Sequence, residues 1–312
     1  MSLPLVSICM SSYNNAHYIV DTLDSIAKQD YQNIELIVVD DCSTDNSVSI
    51  IDLWFSKNDI RYKFIKNEKN LGLCKVTNLL IENSLGEYVS IIASDDLMIF
   101  DKISRQVSIM QNESADVGGL YSDAYLVDNS GDILFGRFIQ WHRHFFKIPE
   151  GYIFEELLEG NFIPIMSMLW RKKCFEVCGR FDEELAYEDY DMLLRVSLKF
   201  KFVFSNYPSV KYRVHDANMH KSLQGISGVE SNFAIFYKHI GIENGKYDEI
   251  IRIKLLAYLV RMYDLKSLKI EKYYKKYRLY FSREIPLEIA LSSGLSYYYL
   301  TRIKRIFGKF IN

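Results

Sequence analysis

Several things are missing from this 312-residue sequence, and each absence narrows the reading. No run of about 18 apolar residues occurs, so a multi-span membrane protein is excluded. Cysteine is sparse. Cys9, Cys42, Cys74, Cys174 and Cys178 are odd in number and scattered, which argues against a disulfide scaffold and for a reducing compartment. No basic-then-apolar leader opens the chain, so the expectation is a cytoplasmic protein. With 5 Pro and 15 Gly, no linker is marked by composition, and the softest boundary falls near Gly225 and Gly228. Neither standard Gly-rich phosphate loop is present. The pairs His142/His144 and His215/His220 have no Cys or Glu partner at zinc-like spacing.

What remains is ordinary globular material, 49% hydrophobic and 25% charged, enough for one large domain plus an accessory piece. The net charge of −2 conceals an asymmetry. Residues 246–312 hold 15 basic against 6 acidic residues, a surplus of nine that leaves the rest of the chain eleven negative. An acidic body disfavours a nucleic-acid surface, whereas the basic, Tyr-rich tail suits an anionic partner.

The first hundred residues alternate strand and helix patterns. Leu5–Met10, Ile34–Val39, residues 61–66 and Tyr88–Ile92 read as strands. Helical spacing follows the first (Val20, Leu23, Ile26, Ala27) and the second (Val48, Ile51, Leu53, Trp54, with Asp45 as N-cap), and again spans 73–84. This rhythm predicts an α/β fold with a mostly parallel sheet flanked by helices. Residues 229–300 read as mostly helical. In such sheets ligands gather beyond the carboxyl ends of the strands, where two acidic clusters fall.

Asp95-Asp96 supplies hard oxygen ligands for Mg²⁺ or Mn²⁺, or else a solvated turn. Asp40-Asp41 suits a base or ribose, or an Asx-turn. A third cluster, Glu188-Asp189-Tyr190-Asp191, opens a helical run. It favours the helix dipole, and it also offers a general base.

Taken in order, these segments resemble the family 2 glycosyltransferases. The resemblance rests on Val6–Asn14, Val38–Asp45, Asn70-Leu71-Gly72 leading to Asn78, Gly86–Val89, Ser94-Asp95-Asp96, Gly179–Glu183, Glu188–Asp191 and Tyr212–His215, and covers about residues 4–220. It implies a GT-A fold, Rossmann-like, over residues 1–225, with a helical, basic accessory region over 226–312. It implies an inverting transferase that moves a sugar from a nucleotide-diphosphate donor, by default a UDP-sugar, to a hydroxyl of a glycan or lipid-linked acceptor. The implied setting is surface polysaccharide biosynthesis.

Carried over residue by residue, Ser12, Tyr13 and Asp41 line the nucleoside pocket, with Asp41 facing the base. Asp96 is the direct metal ligand, with Asp95 beside it reaching metal, sugar or ribose. His215 approaches the diphosphate or the metal. Asp189 is the catalytic base, and Glu188 helps place the acceptor. The chain departs from the family at four positions. Ala93 stands where an Asp is common, Thr77 where an Arg is common, Cys42 for Gly and Ser11 for Pro. An Arg at position 77 would reach phosphate, and Lys75 is the candidate to do so in its place. These departures sustain a rival reading, a catalytically impaired nucleotide- or glycan-binding relative. A nucleotidyltransferase would need a Gly- and basic-rich activating loop that the sequence lacks.

Two segments read two ways. Trp141–Phe146, aromatic and His-rich, belongs to the acceptor side or closes the core. Residues 295–312 form an amphipathic helix for peripheral contact with the inner face of a membrane, or pack on protein, as in a homo-oligomer.

Overall fold

The computed structural model describes residues 3–215, 225–282, 284–293 and 297. His220 and the 295–312 helix, apart from Tyr297, lie outside the described residues. The chain forms two compact units, Met1–Asn218 and Met219–Asn312.

The first unit begins as strict alternation: β1 (Val6–Ser12), α1 (Ile19–Ala27), β2 (Ile34–Asp40), α2 (Ser47–Phe55), β3 (Tyr62–Lys66), α3 (Leu73–Asn83) and β4 (Tyr88–Ala93). It continues through β5 (Leu97–Met98), α4 (Lys102–Asn112), β6 (Val117–Val127), β7 (Ile133–Arg137), α5 (Phe138–His142), α6 (Phe154–Glu159), β8 (Leu169–Arg171), α7 (Lys173–Cys178), α8 (Asp189–Ser197) and β9 (Lys201–Arg213).

One sheet runs β3-β2-β1-β4-β8-β6-β9-β5, and β7 pairs with β6. The long registers are parallel: β3, β2, β1 and β4 side by side, and β6 along β9. The antiparallel joins of β8 and β5 are two residues long. Register places Ser12 opposite Asp40, Asp40 opposite Lys66 and Ser11 opposite Ala93, so four strands deliver their following loops to one edge.

The core explains the apolar strands. Val6, Ile8 and Met10 of β1 are fully buried and share one cluster with Ile19, Leu23 and Ile26 of α1, Ile51, Trp54 and Phe55 of α2, and Ile103, Val107 and Met110 of α4. Each such side chain contributes about 1.5–3 kcal/mol by leaving water. Cys9, on the opposite face of β1, donates its thiol to the Leu80 carbonyl of α3. A Cβ on Gly86 would lie 2.6 Å from the Ser7 nitrogen, so only glycine lets β4 enter this close to β1.

Local expectations needed three adjustments. Val20 and Leu53 are exposed, and Ile19, Thr22 and Phe55 take their places on the buried faces. Asn46, not Asp45, is the N-cap residue of α2. Asp45 sits one step earlier and accepts the N–H groups of Ser47 and Ala16.

The second unit holds α9 (Ile226–Tyr237), α10 (Asp248–Asp264), α11 (Ile270–Tyr277) and α12 (Ile285–Ser293). Four of its tyrosines are packed against the unit's own helices. Tyr273 meets Phe233 edge-on at 4.9 Å, Tyr258 lies 5.7 Å from Phe236, and Tyr274 and Tyr277 are buried. Buried Glu230 accepts the Ser267 hydroxyl and pairs with Lys269, both at 2.7 Å. No helix among the described residues is long and apolar enough to cross a membrane.

Candidate active site

At the end of β1 and β2 the two aspartates divide their work. Asp40 closes its own turn, accepting the Ser12 hydroxyl (2.9 Å), the Ser43 hydroxyl (2.7 Å) and the Ser43 N–H (2.8 Å). Asp41 reaches across to the 67–72 loop. Its Oδ1 accepts Asn67 Nδ2 and the Leu71 N–H, both at 2.8 Å, and its Oδ2 accepts the Gly72 N–H at 2.9 Å. A carboxylate has about four lone-pair directions, so three donors leave Asp41 room for one more, such as a base N–H. Cys42 follows with φ +65°, a left-handed conformation that explains why glycine is common there. Tyr13 is half-exposed beside this loop.

At the end of β4 the chain turns through Ser94, Asp95 and Asp96. Ser94 Oγ accepts Asn15 Nδ2 at 2.9 Å, tying the turn to the β1 loop. Asp96 is buried, and its Oδ1 accepts the Arg213 N–H at 3.0 Å. Burial, and then the neighbouring Asp95 charge, push the Asp96 carboxyl well above the usual range. Asp95 Oδ2 lies 2.9 Å from His215 Nε2. Tyr18 stacks on His215 at 5.1 Å, and the Arg213 guanidinium lies 4.6 Å from the same tyrosine ring. Asp95, Asp96 and His215 therefore come together although 119 or more positions separate the aspartates from the histidine in sequence. Thr77 is turned away, its hydroxyl donated to the Leu73 carbonyl at 2.9 Å, and Lys75 is exposed on α3.

Glu188 and Asp189 open α8. Asp189 Oδ1 accepts the Tyr190 N–H at 2.6 Å, and Oδ2 accepts Asn161 Nδ2 at 2.9 Å. Burial, then the Asp189 charge, push Glu188 up to about 8. Burial pushes Asp189 up to about 6, against the pull of the Tyr190 and Asn161 hydrogen bonds. Tyr212 lies on β9, between Lys211 and Arg213. Its phenol is raised by burial first and then by the charges of Asp96, Asp95 and Asp189, which all act on this one ring. Phe138 of α5 meets Tyr212 edge-on at 5.5 Å. Phe145 packs at 4.7 Å on Phe162, the residue after Asn161, while Trp141 and Phe146 are exposed.

Sequence reasoning missed Asn67, Tyr18 and Asn161, and gave Arg213 no role. An isolated Asn or Tyr carries no spacing signal, and its part is visible only through its partner. Among the described residues no group of three or more His, Cys, Asp and Glu forms a ready-made cation cage.

Comparison with known proteins assigns the class of protein that carries this sheet. The family model "Glycosyl transferase family 2" matches residues 7–175. The chain is 30% identical over 217 residues to an uncharacterized glycosyltransferase of Methanocaldococcus jannaschii, covering 69% of this chain and 72% of that one. The chain belongs to glycosyl transferase family 2. Its fold is that of Staphylococcus aureus TarS (residues 1–349, in complex with UDP), at TM-score 0.62 and 18% identity over 93% of this chain and 92% of that one. It is also similar to the mannosyltransferase PcManGT of Pyrobaculum calidifontis, in complex with GDP-Man and Mn²⁺, at TM-score 0.58 and 17% identity over 99% of this chain and 89% of that one. The fold is thus GT-A, as the resemblance implied.

Proposed function

We propose that this glycosyltransferase is an inverting, divalent-metal-dependent hexosyltransferase. It moves a sugar from a nucleotide-diphosphate donor, a UDP-sugar first, to a hydroxyl of a glycan or lipid-linked acceptor in surface polysaccharide assembly. The observation that carries this reading is the turn after β4, where Asp96 is buried and Asp95 Oδ2 lies 2.9 Å from His215 Nε2. With Asp189 as the base at the start of α8, a single displacement suffices, and it inverts the anomeric carbon.

The residues fit a hard cation. Of two adjacent carboxylates, Asp96 is buried and hard to ionise alone and Asp95 lies 2.9 Å from the His215 imidazole, and diphosphate oxygens and water can complete six ligands. Asp96 and Asp95 would hold Mg²⁺ or Mn²⁺, with His215 beside them, and the Mn²⁺ complex of PcManGT supports this. The metal would supply neutralisation of the leaving diphosphate. Asp41 and Asn67 present a carboxylate and an amide to the base, between Ser12 and Tyr13. Lys75 offers a phosphate contact. Asp189 takes the proton of the acceptor hydroxyl, and Glu188, protonated at neutral pH, donates a hydrogen bond that places the acceptor. The exposed segment Trp141–Phe146 suits sugar rings.

Residues 1–225 would be the catalytic domain and 226–312 the accessory region. The proposed location is the cytoplasm, with the basic tail at the inner membrane face. The inward-turned Thr77 and the absent carboxylate at Ala93 favour one rival, a binding protein without turnover. Incubation with a UDP-hexose panel and Mn²⁺ or Mg²⁺ separates the two. UDP release that EDTA abolishes supports the transferase, and tight UDP binding without release supports the rival. The anomeric configuration of the transferred sugar, read by NMR, decides inversion.

A further inference from the structure

We propose that Asn161 is the positioning residue for Asp189, fixing which lone pairs of that carboxylate face the acceptor hydroxyl. The inference rests on the reading of Asp189 as the base and adds a residue to it.

Asn161 follows α6 in the loop that leads to β8. Its side chain makes two hydrogen bonds of opposite polarity. Nδ2 donates to Asp189 Oδ2 at 2.9 Å, and Oδ1 accepts the Ile163 N–H at 3.1 Å. These two bonds determine the amide orientation. Turned over, the amide would set an oxygen against a carboxylate and an NH₂ against an N–H, and both contacts would be repulsive. The local backbone is anchored, because Phe162 and Ile163 are buried. Phe162 is gripped edge-on by Tyr121 at 6.1 Å and Phe145 at 4.7 Å.

The consequence is a carboxylate pinned at both oxygens. The Tyr190 N–H holds Oδ1, and Asn161 holds Oδ2. The Asp189 side chain cannot swing without breaking a charge-assisted bond, and its remaining lone pairs keep one direction. Base catalysis depends on that direction, since a base must lie within hydrogen-bond reach of the proton it takes. The same donor stabilises the anion, and therefore works against burial.

Several other ionisable groups act near Asp189 among the described residues. Glu188 precedes it, the Asp189 charge raises the Tyr212 phenol of β9, and the thiol of Cys74 on α3 is raised by Glu188, Asp182, Asp191 and Asp189 after burial. Asp191 is paired with Arg195 at 2.8 Å. Besides the backbone N–H of Asp189 itself, the donors that lower its carboxyl are the Tyr190 N–H and the Asn161 amide.

The experiment follows Asp189 directly. Full-length protein labelled with [¹³C]aspartate is titrated by NMR, and the Asp189 carboxyl resonance is identified by its loss in Asp189→Asn. In Asn161→Ala the midpoint should rise by at least about half a pH unit, because a hydrogen bond to the charged form is gone. In Asn161→Asp it should rise further, because a like charge replaces a donor. Hydrolysis of the UDP-hexose selected by the panel should fall at least about tenfold in Asn161→Ala, while UDP affinity measured by calorimetry stays within about twofold. Asn161→Ser, which keeps a donor on a shorter arm, should recover part of both effects and serves if the alanine variant fails to fold. An unmoved Asp189 midpoint in a folded Asn161 variant overturns the proposal. If Asp189→Asn hydrolyses donor at the normal rate, the base reading fails instead, a result distinguishable from the first.

Discussion

The backbone N–H of Arg213 lies 3.0 Å from Oδ1 of Asp96, and the guanidinium Nε of the same arginine lies 2.9 Å from the Asp95 carbonyl. One residue near the end of the first unit thus shapes the acidic turn after β4. Its remaining donors reach the carbonyls of Asp128 and Asn129 and the carboxylate of Asp21. The arginine is fully buried, so three segments besides its own strand depend on it together.

Arg213→Ala should therefore cost about 2–5 kcal/mol of stability, the range for stranding buried hydrogen-bond partners. Urea unfolding reads this directly. A loss under about 1 kcal/mol would mean that water replaces the guanidinium at little cost.

Asp96→Ala should abolish Mn²⁺-dependent binding of UDP, and Asp95→Ala should weaken it less. Calorimetry with and without EDTA makes the comparison. Metal-dependent affinity that survives in Asp96→Ala would remove this residue from the metal site.

Asp189→Asn should leave UDP affinity nearly unchanged while turnover falls at least about a hundredfold, the scale of losing a general base. In the parent enzyme the acid limb of kcat should fall near pH 6, since the base must be ionised and burial holds it up to about 6. A parallel loss of binding and turnover would instead indicate a structural role at the start of α8.

Glu188 predicts the pH dependence of stability. Its carboxyl is harder to ionise folded than unfolded, raised from 4.5 to about 8 by burial and then by Asp189. Its contribution is fully present below the unfolded value of 4.5 and is lost as pH rises through about 8. Glu188→Gln should make the protein more stable than the parent above pH 8, by on the order of 1 kcal/mol or more. Thermal melts between pH 5 and about pH 9 should show a flatter decline in the variant. Equal slopes would show that Glu188 reaches water.

Cys42→Gly should raise stability by up to about 1 kcal/mol. It removes a left-handed strain of about 1–3 kcal/mol at φ +65°, against a smaller entropic cost of glycine in the unfolded chain. A lower melting temperature would show that the Sγ contact with the Glu68 carbonyl outweighs the strain.

The alternating strands and the order of acidic motifs were legible because each depends on near neighbours. Apolar runs such as 34–39 bury on both faces of a parallel sheet, and an aspartate after such a run lands at its carboxyl end whatever else the chain does. Tyr18, Asn67 and Asn161 were not legible. Asn67 and Asn161 act through partners 26 and 28 positions distant, Tyr18 through His215, and nothing local distinguishes them from surface residues. The same holds for the aromatic segment. Its composition suited both a core and a sugar platform, and only the structure shows Trp141 exposed and Phe145 seated on Phe162.

The sequence by itself determined the family, the parallel first half of the sheet and the three acidic clusters, because periodicity and motif order are properties of the chain. Tertiary structure alone decided which carboxylates meet, which oxygens are already taken and which arginine holds the turn. Those depend on distances closed by the return of β9 along β6 and β5 to the strand-end edge. A hydrogen bond of 3.0 Å between Arg213 and Asp96, more than a hundred positions apart, has no signature in local order. It exists only once the core has paid the entropy of bringing its ends together.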